Sequence, residues 1–126
     1  MRILVSVTLL VVGVIHLLPL TGVLGPERLA VLYGMPFAEP NLAILMRHRA
    51  VLFGLLGSLL VVAAFRPALQ AVALIAGWVS VLSFLALAWS IGGYNAEIGR
   101  VIAADGIAAV CLAAGSAGYL ALQRAR

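Results

Sequence analysis

"NLAILMRHRAVLFGLLG" (residues 41–57) sets Arg47, His48 and Arg49 between two apolar runs. The run that follows, residues 50–65, is only sixteen residues long, whereas a membrane helix needs about 20. Extending it back through residues 42–46 restores the length and draws the basic triplet into the outer part of a helix. On that reading the chain is a single transmembrane domain, 1–126, with spans at about 3–24, 42–65, 68–91 and 101–122.

Composition supports this. With 65% hydrophobic residues, 10% charged residues and a mean hydropathy of +1.22 in 126 residues, a water-soluble fold could not bury the apolar surface in one core. The net charge of +4 comes from arginine alone, since lysine is absent. These arginines sit at the ends of apolar runs, as topology signals do, and form no nucleic-acid patch. Cys111 lies inside an apolar run and reads as a small buried hydrophobe. The N-terminus has the basic start and apolar run of a signal peptide. Its run is long and no A-x-A-like site closes it, so it reads as an uncleaved first span.

The breaks between spans agree. Residues 25–40 contain three prolines and two acids and read as a surface loop, periplasmic over about 25–41, with a short interfacial helix at 27–33. Glu27 and Glu39 read there as solvated acids. Pro67 stops the second helix and leaves a tight turn. Residues 92–100 read as a polar loop in which Gly92 and Gly93 form a cap and turn. Backbone groups in hydrocarbon must be satisfied within their own segment, which leaves helices as the open-chain solution. The expected architecture is an all-α, integral membrane four-helix bundle with both termini on the same side. Arg2, Arg66, Arg124 and Arg126 outnumber Arg28 and Arg100 across the bilayer, and this bias makes the terminal side cytoplasmic.

Chain direction then gathers the unusual polar residues. His16 falls in the outer half of the first span, the basic triplet at the outer start of the second, and Tyr94 and Asn95 after the outer end of the third. Asp105 falls just over a turn into the fourth. At 100° per residue, Arg47 shares a face with Ala50, Gly54 and Ser58, a small-residue stripe of the kind that lines membrane helix contacts. It is expected to point inward. Arg49 aligns with Phe53, Leu56 and Leu60 and is expected to snorkel, while His48 lies on a leucine face. Asp105 shares a stripe with Ala108, Ala109, Leu112 and Ser116 and is expected inward. The third span offers Ala73, Ala76, Ser80 and Ser83 inward and turns Trp78 and Trp89 to lipid.

An ionisable group within a membrane costs several kcal/mol unless paired, so Arg47 and Asp105 are expected to pair. That pair could merely pin two helices, or it could bind an anionic or carbonyl group while Asp105 or His16 moves a proton. His16 has its own bland alternative, a histidine donating to a backbone carbonyl near Pro19. Other chemistries lack their motifs. There is no HExxH, no cysteine pair for a metal or haem, no phosphate loop and no GxSxG elbow.

Four spans, a histidine late in the first, an arginine opening the second, a compact arginine–proline turn and the segment "MRHRAVLFG" (residues 46–54) resemble small bacterial four-helix membrane proteins of the DoxX-like kind. The resemblance covers nearly the whole chain. Some DoxX relatives are linked to quinone-coupled sulfur redox chemistry, so the resemblance implies a quinone- or lipid-facing accessory protein. Sequences that look like this one have also been labelled phosphopantetheine adenylyltransferase. That enzyme is a soluble α/β nucleotidyltransferase with a strand–loop motif ending in glycine–histidine, and neither its fold nor the motif is found here.

The leading expectation is a non-enzymatic, multi-pass protein of the bacterial inner membrane. It would bind a lipophilic small molecule, a quinone or a partner membrane protein in an outer-leaflet polar pocket of His16, Arg47 and Asp105, rimmed by Arg49, Tyr94 and Asn95. No cofactor is expected, a quinone being the one candidate. The partners are the lipid bilayer and such a ligand or protein, with a homodimer open and nucleic acid excluded. A second reading is an enzyme isomerising or hydrating a lipid-soluble substrate, with Asp105 or His16 as base and Arg47 stabilising an oxyanion. A third is a dimeric proton-coupled exporter, which Asp105 suits poorly because it lies near one end.

Overall fold

The computed structural model describes residues 1–126, and every regular element in it is helical. Helix α1 (Arg2–Leu17) gives way at Pro19. Proline has no N–H to offer the Ile15 carbonyl, and the backbone tightens into a 3-10 segment over Leu18–Leu24. Gly25, at φ +152°, turns the chain sharply into α2 (Pro26–Tyr33), which ends at Gly34 in the left-handed region (φ +68°) with its N–H bonded to the Ala30 carbonyl at 2.8 Å. Helix α3 (Pro40–Phe65) begins with proline at its first position. Arg66 is extended, as the residue before proline prefers, and α4 (Pro67–Ile91) follows at once.

Glycines 92 and 93 end α4. Helix α5 (Ala96–Arg124) then starts five residues before the expected span, because the Asn95 side chain caps it by accepting the Ile98 N–H at 2.8 Å. The polar loop is therefore only residues 92–95, and Asp105 stands well inside a helix. Four segments, Arg2–Leu24, α3, α4 and α5, are long and apolar enough to cross a membrane.

Helix α1 packs on α3 and α5, α4 packs on the same two, and α1 scarcely touches α4. Val5, Leu9, Leu60, Val81 and Leu112 are fully buried between them. Small residues set the closest approach. A Cβ on Gly57 would stand 2.7 Å from Leu17 Cγ and 3.0 Å from the Gly13 carbonyl oxygen, so α1 and α3 cross backbone to backbone. Polar side chains tie neighbours together: Ser6 Oγ donates to the Ala64 carbonyl (2.7 Å) and Thr8 Oγ1 to the Cys111 carbonyl (3.2 Å). Cys111 itself is half-buried against the core.

Two expected orientations on α4 change. Trp78 does not look outward; it is half-buried and its Nε1 donates to Ser116 Oγ at 3.0 Å, which ties α4 to α5. Ser83 is exposed and bonds back to its own helix at Ser80, whereas Trp89 is 89% exposed. Gly118 lies against Leu4 and Val5, and Pro67 and Gln70 share a depression with Tyr119 and Arg126. These contacts define one end of the fold. Helix α2 covers the other.

Candidate functional site

Helix α2 is fixed by a small apolar cluster of its own. Leu29, Tyr33 and Phe37 are buried against Leu42 and Met46 of α3 and Ile98 and Val101 of α5. Asn95 Nδ2 donates to the Tyr33 carbonyl at 2.7 Å, tying the end of α2 to the start of α5. Beneath α2 lies a cavity of about 290 Å³. Its walls are largely apolar, with Ile15, Phe53, Phe84 and Val101 among them, and its polar groups are His16, Tyr33, Arg49, Glu97, Arg100 and Asp105. An apolar cavity with a few convergent polar groups is the usual form of a small-molecule site, although this volume sits at the lower edge of the common range of about 300–1,000 Å³.

His16 is 2% exposed. Its Nδ1 lies 2.8 Å from the Val12 carbonyl, which can only accept, so Nδ1 carries the proton. Nε2 lies 3.0 Å from Ser80 Oγ, a hydroxyl that can donate to it. Both nitrogens are committed to hydrogen bonds within the protein. Its centroid lies 5.8 Å from that of Phe53, so histidine and phenylalanine together form part of the cavity wall.

Arg49 takes the inward place that the helical wheel assigned to Arg47. Its guanidinium carbon lies 4.5 Å from the Phe53 ring centroid and 5.4 Å from that of Tyr33, and Nη1 donates to Tyr33 Oη at 2.6 Å. Arg49, not Arg47, lines the cavity together with Asp105, yet the two do not close to ion-pair distance. Asp105 is half-buried, lines the cavity and accepts no hydrogen bond from the protein.

Arg47 is exposed, and its Nε donates to the Val23 carbonyl at 2.9 Å. The expected Arg47–Asp105 pair does not form. The small stripe that Arg47 shares does mark a close contact, but the contact is with the 3-10 segment. A Cβ on Gly54 would meet Leu20, and one on Gly22 would approach Ala50. Arg47 therefore closes off a carbonyl at the end of that segment, while Arg49, one side over, meets the cavity. Tyr94 is 53% exposed and lies beside Trp89 at a separate depression. Asn95 caps and ties but does not line the cavity. His48 is exposed.

Of the six residues expected at the site, His16, Arg49 and Asp105 are brought together, and Arg47, Tyr94 and Asn95 stand outside. Tyr33, Glu97 and Arg100 join the cavity unannounced. A signal for Glu97 existed: Glu97, Val101 and Asp105 repeat at i, i+4 and i+8 and continue the face of Ala108 and Leu112, once Asn95 is read as a cap. No group of three His, Cys, Asp or Glu side chains is placed to hold a metal ion. Comparison of the chain with protein-family models, curated proteins and solved structures finds no match.

Proposed function

We propose that the chain is a multi-pass bacterial inner-membrane protein, a four-helix bundle of the DoxX-like kind with both termini in the cytoplasm. It holds the polar head of a lipophilic molecule in the cavity beneath α2 and does no chemistry on it. The observation that supports this reading is the cavity itself. It brings Arg49, Arg100, Glu97 and Asp105 to one apolar chamber without an ion pair among them. Of these, the half-buried Asp105 has no protein partner, and an unpaired charge among apolar walls costs free energy unless a ligand completes it. Leu18 and Val31, 61% and 69% exposed, stand at the cavity's edge and give a tail an apolar way out. A quinone ring or a lipid headgroup is of the right size for the chamber, with the tail lying along the outside of the helices.

The enzymatic alternative retains one favourable feature, the unpartnered carboxylate of Asp105. His16 is withdrawn from it, because both its nitrogens are occupied. Asp105 would have to act alone as base, with Arg49 stabilising the oxyanion.

Native mass spectrometry of protein extracted gently from its own membrane tests the binding reading. The wild-type chain is expected to retain one lipophilic adduct, and Arg49→Ala and Asp105→Asn to lose it while keeping their helical circular dichroism. A bare wild-type chain, or variants that both keep the adduct, would overturn it. Turnover of that adduct to a new mass by wild type but not by Asp105→Asn would favour the enzyme.

A further inference from the structure

The charges on α5 come in an order. Glu97, Arg100 and Asp105 all line the cavity and stand at successive depths, about 4.5 Å and then about 7.5 Å apart along the axis at 1.5 Å per residue. Arg49 faces them from α3. None of the three α5 side chains makes a hydrogen bond to the protein. Arg49 cannot swing onto Asp105 without giving up Tyr33 Oη and the faces of Tyr33 and Phe53.

An anionic head would meet two carboxylates in this chamber, and a cationic head two guanidinium groups. A neutral carbonyl would leave the deeper acid, Asp105, unpaired among largely apolar walls. Only a head bearing both signs pairs the deep carboxylate of Asp105 and both guanidinium groups, leaving Glu97 at the rim to water. Resting on the reading that the cavity holds the head of a lipophile, we infer that this head is zwitterionic: a phosphate carrying a primary-ammonium arm, as in an ethanolamine phospholipid. The ammonium lies at Asp105, the phosphate between Arg49 and Arg100, and the acyl chains leave past Leu18 and Val31.

The order of the charges matches that of the headgroup. Its ammonium is the far end and meets the deep carboxylate; its phosphate adjoins the glycerol and meets the exposed Arg100 nearer the rim. A primary ammonium is favoured over a quaternary one on two counts. It donates three hydrogen bonds to carboxylates, and Arg49 already covers Tyr33 and Phe53, which leaves Phe84 alone where a quaternary ammonium would need a cage of aromatic faces.

Delipidated protein in detergent is titrated by native mass spectrometry with phosphatidylethanolamine, phosphatidylcholine and phosphatidylglycerol of identical chains, with a long-chain quinone, and with soluble phosphoethanolamine. One phosphatidylethanolamine should bind about tenfold more tightly than either other phospholipid, a difference of about 1.4 kcal/mol. Phosphoethanolamine should compete only at much higher concentration. Asp105→Asn should erase the preference over phosphatidylglycerol, and Arg49→Gln should weaken all three. If Asp105→Asn does not fold, Asp105→Ser, which keeps a small polar side chain on the same stripe, should erase the same preference. Equal binding of the three phospholipids, or preferred binding of the quinone, overturns the zwitterion and leaves the lipophile reading standing. Phosphoethanolamine binding as tightly as the lipid keeps the headgroup and removes the lipophile. Binding in no arm removes both.

Discussion

The two ends of this molecule are built from similarly apolar helices and use polar atoms in opposite ways. In the terminal half, Ser6 and Thr8 each reach across to a neighbouring helix's carbonyl, and Val5, Leu9, Leu60 and Leu112 leave no exposed surface. At the α2 end, two acids and an arginine on α5 or its rim face a cavity without protein partners. One half is closed by its own groups; the other leaves charged groups facing an open chamber. On the proposed reading, the contrast separates what holds the fold from what would give it a use, a division common where function costs stability.

Gly57→Val should break this contrast most severely. Its side chain would collide with Leu17 and the Gly13 carbonyl, and overpacking of this kind costs about 3 kcal/mol. Thermal melting in detergent should show a much lower midpoint; an unchanged one would mean that the α1–α3 crossing is not the anchor. Asn95→Ala removes both a helix cap and the tie to the Tyr33 carbonyl, an expected loss of about 1 kcal/mol. Hydrogen exchange should quicken in α2 and the first turn of α5 and leave the terminal half alone. Uniform quickening would show that the ends are not independent.

Asp105→Asn should leave the fold at least as stable as wild type, because it removes an unpaired charge from the cavity and no protein partner is lost. A large loss would restore a structural ion pair and weaken the binding reading. The smallest effect concerns Glu39, which is exposed but caps α3. The N–H of Leu42, and secondarily that of Asn41, hold its carboxylate below the ordinary value of 4.5. A lowered folded pKa means that the cap's contribution is present above 4.5 and is lost as pH falls through the folded value. Amide protection at Leu42 should fall on acidification in wild type and lose that pH dependence in Glu39→Gln.

The long apolar runs, the Arg66–Pro67 break and the inward face of Asp105 were legible in the sequence, because each depends on hydropathy or on one helix's own periodicity. Arg49 was not. Assigning it required knowing which neighbour meets which face of α3, and the small stripe at Ala50 and Gly54 records only that something approaches closely. That neighbour is the 3-10 segment, whose different winding no wheel drawn at 100° represents. The start of α5 was missed because a single side chain, Asn95, sets it. Glu97 and Arg100 were consequently read as loop residues. His16 could be placed by depth, but its silence as a base depends on Ser80, sixty-four residues away.

The 3-10 segment also settles a matter of reach. At about 2.0 Å per residue against about 1.5 Å, its seven residues extend about 3.5 Å further than an α-helix would. Sixteen α-helical residues and seven 3-10 residues together span about 38 Å, and the twenty-six of α3 about 39 Å. The shorter segment thus arrives level with its longer neighbour, and α2 can lie across both as a lintel. Had residues 18–24 kept the wider winding, that lintel would rest lower and the chamber beneath it would have less headroom.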